Sequence, residues 1–155
     1  MIVDYKKLPE TSKIYIYPSS RKFYPGEVPI IVEKVNIFIE DLLDNDLFFE
    51  IKYDRFLIIL VSDLTPLSSE QNESLVSLIL SIEKELDVTL IDKVNVCFKQ
   101  GEFVQLKEIT DFKKLLKNKG VSKKTIVFNN LINTKSEYDC CWETPANISW
   151  ISHFF

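Results

Sequence analysis

Phe49-Glu50-Ile51-Lys52-Tyr53-Asp54-Arg55-Phe56-Leu57-Ile58-Ile59-Leu60-Val61 places two strand patterns side by side. In the first half, Phe49, Ile51 and Tyr53 alternate with Glu50, Lys52 and Asp54, the period-2 pattern of a half-buried strand. The second half, Phe56 to Val61, is apolar throughout and reads as a central strand buried on both faces. The joint Tyr53-Asp54-Arg55 is short enough for a hairpin.

Upstream of this hairpin, Ile14 and Ile16 alternate with Tyr15 and Tyr17 along a strand over 13–17, closed by Pro18-Ser19-Ser20. Val28, Ile31, Val32, Val35, Phe38, Ile39 and Leu42 then follow helical spacing, which predicts a helix from about Glu27 to Leu43. Pro29 falls in its first turn, where a missing N–H costs nothing. Downstream, Ser68 and Gln71 form a capping box ahead of a helix with Leu75, Leu78, Ile79, Ile82 and Leu86 on one stripe. Val94, Val96 and Phe98 alternate next. Gln100-Gly101 turns the chain, with Gly101 as the positive-φ residue, and Phe103, Val104 and Leu106 return. A short basic helix is expected from Asp111 to Asn118, capped by Thr110 and stopped by Gly120. Thr125 to Phe128 is one more strand. Residues 129–155 show neither period but carry Tyr138, Trp142, Trp150, Phe154 and Phe155, too much apolar surface for a disordered tail.

This order predicts an α+β fold in a single domain, 1–155. It is an antiparallel sheet with helices packed on one face: a ferredoxin-like βαββαβ core with an extra hairpin strand, a short basic helix and an aromatic-rich C-terminal tail. Composition agrees, with 155 residues that are 46% hydrophobic and 27% charged, the mixture of a globular chain with a full core. The N-terminus has no signal-like apolar run, and the longest apolar stretch is far too short to span a membrane, so a cytoplasmic, membrane-free protein is expected.

Net charge is −4, which makes nucleic acid an unfavoured partner although six lysines lie between 113 and 124. Cys97, Cys140 and Cys141 make a poor disulfide framework, because adjacent cysteines bridge only with strain. With one histidine, His153, no zinc site and no other metal site is expected. The three glycines, Gly26, Gly101 and Gly120, have neither P-loop nor dinucleotide-fingerprint spacing, so no nucleotide cofactor is expected and P-loop ATP hydrolysis is excluded.

Two polar clusters are candidates. Ser19-Ser20-Arg21-Lys22 lies between a strand and a helix N-terminus, where an anion could bind. Asn129-Asn130, with Asn133, Thr134 and Lys135, forms an amide-rich loop. A ligand pocket for a small anion would combine Arg21, Lys99, Gln100, Glu102, Asn129, Asn130 and Lys135, provided that these segments meet. Trp142, Trp150, Phe154 and Phe155 are the candidate surface for self-association. Among the function classes, a non-catalytic binding or interaction module, with a homodimer as one form of it, ranks ahead of a small-molecule or anion-binding enzyme with a polar pocket near Arg21 and Asn129.

Several stretches carry a resemblance: Arg21-Lys22-Phe23, Tyr53-Asp54-Arg55-Phe56, Lys99-Gln100-Gly101-Glu102, Val121-Ser122-Lys123, residues 125–131, Asn133-Thr134-Lys135, Trp142-Glu143 and Ser149-Trp150. In these the chain resembles a family of small, uncharacterised bacterial proteins, seen mainly in Bacteroidetes and often catalogued as "ABC transporter ATPase". That label would imply a Walker loop and an L-S-G-G-Q signature. This chain lacks the first. Its only echo of the second, Leu67-Ser68-Ser69-Glu70-Gln71, puts a carboxylate where a γ-phosphate would sit.

Overall fold

The computed structural model describes residues 1–42, 44–91 and 95–155. Leu43 and Val94, which the sequence placed in a helix and a strand, lie outside the described residues. The fold is α+β, with antiparallel sheets and helices packed on them.

The opening stretch forms the expected hairpin, β2 (Leu47–Lys52) and β3 (Phe56–Val61), joined at Tyr53-Asp54-Arg55. Strand β1 (Lys13–Pro18) pairs on the other side of β3, giving the order β1-β3-β2 with every pairing antiparallel. Helices α1 (Val28–Glu40) and α2 (Ser69–Leu86) cover one face of this sheet. That is the split βαβ arrangement, as far as it goes. In a ferredoxin-like sheet the next strand would flank β1. Here β4 (Val96–Gln100) instead joins a second sheet of order β5-β4-β6-β7, with β5 (Phe103–Lys107), β6 (Ile126–Phe128) and β7 (Glu143–Pro145). The outer edge of β1 is met instead by the 133–134 segment, through Ile14 N–H to Asn133 O at 3.0 Å and a bridge from Lys13 to Thr134.

The reason for a second sheet is visible in β3. All six of its residues are buried. Leu57, Ile59 and Val61 pack under the helices, while Phe56, Ile58 and Leu60 face the other way. Alternation along a strand gives each face its own set, and three more apolar side chains need a second cover. Cys97, Val104, Phe128, Ile132 and Trp142 supply it. The far face of the second sheet, Val96, Phe98 and Val127, is closed by Phe112 of α3 (Ile109–Lys117) and by Ala146 and Ile151. The layers therefore run helices, sheet, sheet, then α3 with the C-terminal segment.

Local signals behave as their chemistry directs. Ser68 and Gln71 complete the capping box at α2. Gly101 opens the two-residue β4–β5 turn at φ 62°, the mirror-image turn that favours glycine there. Two details differ. Helix α3 starts after Glu108, so Thr110 lies inside its first turn. Its left-handed residue is Lys119, at φ 61°, and not Gly120. The C-terminal segment also holds a helix the periodicity missed, α4 (Lys135–Cys141). Thr134 caps it by accepting from Glu137 N–H. Cys140 and Cys141, in its last turn, are joined by a disulfide, contrary to expectation.

Candidate functional site

Most of the sequence candidates are already engaged. Arg21 makes a two-pronged ion pair with Glu27 at 2.7 and 2.8 Å and donates to Leu86 O at the end of α2 at 2.7 Å. The Glu27 carboxylate, hydrogen-bonded to that guanidinium, is held down at about 2. Arg21 is therefore a charge-neutralised strut that ties the β1–α1 loop to the helix layer, not a free anion receptor. Asn129 uses its side chain in a local turn, accepting from Leu131 N–H at 3.1 Å. Asn130 is buried and accepts from Trp142 Nε1 at 3.0 Å while donating to Cys97 Sγ at 3.4 Å. Lys135 is 4% exposed, donates to Leu8 O at 3.0 Å and lies over the Tyr5 ring, so it clamps the N-terminal segment. No hydrogen bond or ion pair among the described residues joins Arg21 to Asn129.

The aromatic candidates turn inward as well. Trp142 is 2% exposed and sits among Phe56, Phe128, Tyr53 and Tyr138. It is core, which corrects its assignment to an interface. Trp150 donates to Phe128 O at 3.3 Å, and Phe154 packs against the α3 core under Lys113. Phe155, at 38% exposure, is the one of the four that faces solvent.

Lys99, Gln100 and Glu102 belong to a different gathering. The tip of the β2–β3 hairpin meets the β4–β5 hairpin, and between them lies a cleft of about 220 Å³. Lys22, Tyr53, Arg55, Glu102, Phe103 and Gln105 line it. Gln100 is exposed at the end of β4 beside it.

The tip of the β2–β3 hairpin has unusual backbone. Tyr53 and Asp54 both lie in the left-handed region, at φ 56° and 52°. A bulky residue there costs on the order of 1–3 kcal/mol. The Tyr53 ring is held regardless, packed on Phe56, Phe128 and Trp142. Its hydroxyl donates to Glu143 Oε2 at 2.8 Å. Glu143 in turn pairs with Lys99, whose ammonium lies 4.8 Å over the Tyr53 ring.

The protonation of this group is settled by its surroundings. Burial pushes the Tyr53 phenol up, with Lys99 opposing and Glu143 adding. Burial works against the Lys99 ammonium, but hydrogen bonds to Glu143 and Tyr53 outweigh it and its pKa is raised. Both groups keep their protons at neutral pH, so neither is poised as a general base.

Arg55 stands apart. Its guanidinium donates to Ser19 O at 3.1 Å, Ser20 O at 2.9 Å and Val104 O at 2.7 Å. Burial pulls its pKa down, yet a guanidinium stays charged. Those three bonds leave other N–H groups unused, and no carboxylate among the described residues pairs with it. Sequence reading passed over Tyr53, Arg55 and Glu143. The available signal was the hairpin joint itself, where Tyr-Asp occupies positions that ordinarily call for Asn-Gly.

Among the described residues no group of three or more His, Cys, Asp or Glu side chains could hold a metal ion. No helix among them is long and apolar enough to cross a membrane. Comparison of the chain with known protein families, with curated proteins and with solved structures gave no match.

Proposed function

We propose that this chain is a non-catalytic binding module whose recognition site is the cleft between its two hairpins, and that the ligand is a small anion bearing a carboxylate or phosphate. The observation that carries this reading is Arg55, a half-buried cation lining the cleft with carbonyl partners and no acid. A cation withdrawn from water without a countercharge attracts an anion more strongly than a fully solvated one. Lys22 adds a second positive charge to the wall, loosely paired with Asp54 at 3.9 Å, and Glu102 is the acid in the cleft lining. Tyr53 in the wall and Lys99 behind it both keep their protons, which fits a site that binds and does not move protons.

Four of the segments that carry the resemblance to the small bacterial family come together at or beside this cleft: Arg21-Lys22-Phe23, Tyr53-Asp54-Arg55-Phe56, Lys99-Gln100-Gly101-Glu102 and Trp142-Glu143. Phe23 N–H donates to Asp54 O at 2.7 Å, Arg55 reaches β5, and Tyr53 reaches Glu143. This supports placing a role here and calls for no nucleotide hydrolysis.

Titration calorimetry with citrate and inorganic phosphate tests the reading. Saturable binding that weakens as salt is raised, and about tenfold in Lys22→Glu, is the expected result. For scale, tenfold corresponds to about 1.4 kcal/mol. Lys22 is 60% exposed and supports no core contact, so the variant keeps its fold. No binding by either anion, or equal binding by Lys22→Glu, overturns the proposal.

A further inference from the structure

The Cys140–Cys141 bridge has no architectural task. A disulfide stabilises a fold by closing a loop of the unfolded chain, and the effect grows with the number of residues enclosed. Here the sequence separation is 1, so nothing is enclosed. Both residues are exposed, while the third cysteine, Cys97, is 1% exposed in the core between the sheets. Structural bridges resist reduction, whereas exposed ones that staple nothing are the labile kind.

We infer that Cys140 and Cys141 form a reversible thiol–disulfide site, exchanging with low-molecular-weight thiols. This inference is independent of the cleft. In the step, a thiolate of the external thiol attacks one sulfur of the pair, breaks the Cys140–Cys141 bond and forms a mixed disulfide. A second external thiol releases the protein. Two external thiols are oxidised to one disulfide, and the pair gains two electrons and two protons. The return reaction consumes the external disulfide.

Glu137, Asp139 and Glu143 flank the pair in sequence, and neighbouring carboxylates disfavour a thiolate. The return reaction runs through a small thiolate fraction, while the exposed bridge remains open to attack from outside. Residues on both sides are fixed. Tyr138 donates to Glu50 Oε1 at 2.7 Å, Tyr5 donates to Asp139, and Trp142 is locked by Asn130. Opening the ring is thus confined to the last turn of α4, and the fold survives in both forms.

Native alkylation with iodoacetamide, read by peptide mass spectrometry, tests the inference. Air-equilibrated protein takes no label. After dithiothreitol it takes two labels, both on the 140–141 peptide, while Cys97 is labelled only on unfolding. In glutathione buffers of graded ratio the bridged fraction passes through one half, with two-electron dependence. Cys140→Ser and Cys141→Ser each expose a single thiol that labels without reductant. Label on 140 or 141 in untreated wild type, a bridge between chains on non-reducing gels, or a bridged fraction that no glutathione ratio changes would each overturn the inference.

Discussion

Under the helices, the first sheet presents Leu57, Ile59 and Val61 to Ile31, Val35, Ile79 and Ile82. Against the second sheet, it presents Phe56, Ile58 and Leu60 to Phe128, Ile132 and Trp142. Both cores are lined mainly by apolar side chains, and among the described residues the second is threaded with side-chain hydrogen bonds. Asn130 to Trp142, Tyr138 to Glu50 and Tyr53 to Glu143 all cross or edge it. On the helix side the polar contacts gather at the ends of the elements, as in Arg21 with Glu27, Tyr15 with Asn72 and buried Asn45 with Gln71 at the start of α2. Aliphatic packing tolerates many solutions of equal volume. A buried polar pair tolerates few, because each partner left alone keeps its desolvation cost. The helix side is therefore specified by pattern and the inter-sheet side by particular partners.

That contrast can be broken most directly at Trp142. Trp142→Ala empties the centre of the inter-sheet core and is expected to cost about 3–5 kcal/mol in urea denaturation. A loss below about 1 kcal/mol, the range of a surface substitution, would show that the aromatic cluster is not a core at all. A finer cut is Asn130→Leu, which keeps the branched side-chain skeleton but leaves Trp142 Nε1 without an acceptor. It is expected to cost about 1–3 kcal/mol. The matched change on the helix side, Ile79→Val, should cost about 0.5–1.5 kcal/mol. If the two costs are reversed, the distinction between pattern and partner fails.

The rim gives a smaller, pH-dependent effect. Glu27 titrates at about 2 in the folded chain against an ordinary 4.5. Its contribution is complete above 4.5 and is lost as pH falls toward 2. Wild type and Glu27→Gln should therefore differ in stability at pH 6 and converge toward pH 2 in parallel denaturation series. A gap that stays constant with pH would assign the loss to shape and not to charge. Smallest of all is Asp54→Gly at the hairpin tip. It relieves a left-handed residue and forfeits a weak surface pair, for a gain of roughly 0.5–1 kcal/mol in thermal unfolding. Destabilisation there would mean that the Asp54 side chain holds the hairpin.

The same contrast explains what could be read from the sequence. Helices α1 and α2, the capping box at Ser68 and the two-faced burial of β3 follow from periodicity and local chemistry, which neighbours in sequence determine. The transfer of β4 to a second sheet does not, because pairing beside β1 or beside β5 satisfies the same alternation in Val96 and Phe98. Helix α4 was missed although Thr134-Lys135-Ser136-Glu137 has the spacing of a cap, since seven residues are too few to show a period. The cleft was partly legible. Glu102 lies in its wall and Lys99 behind it, but Arg21 and the asparagines are committed elsewhere. Tyr53, Arg55 and Glu143 come together only through tertiary contacts.

Arg55 also bears on how such molecules meet one another. Phe103 closes a two-residue hairpin with Gln100, so Phe103, Gln105 and Lys107 bond toward β4 while Val104 and Leu106 point outward. One of those outward carbonyls, Val104 O, is occupied by the Arg55 guanidinium. An extended segment from another chain arriving at this margin finds its first docking point filled by a cation. The β5 margin thus carries a charged group at that carbonyl, the kind of feature that disfavours edge-to-edge strand pairing.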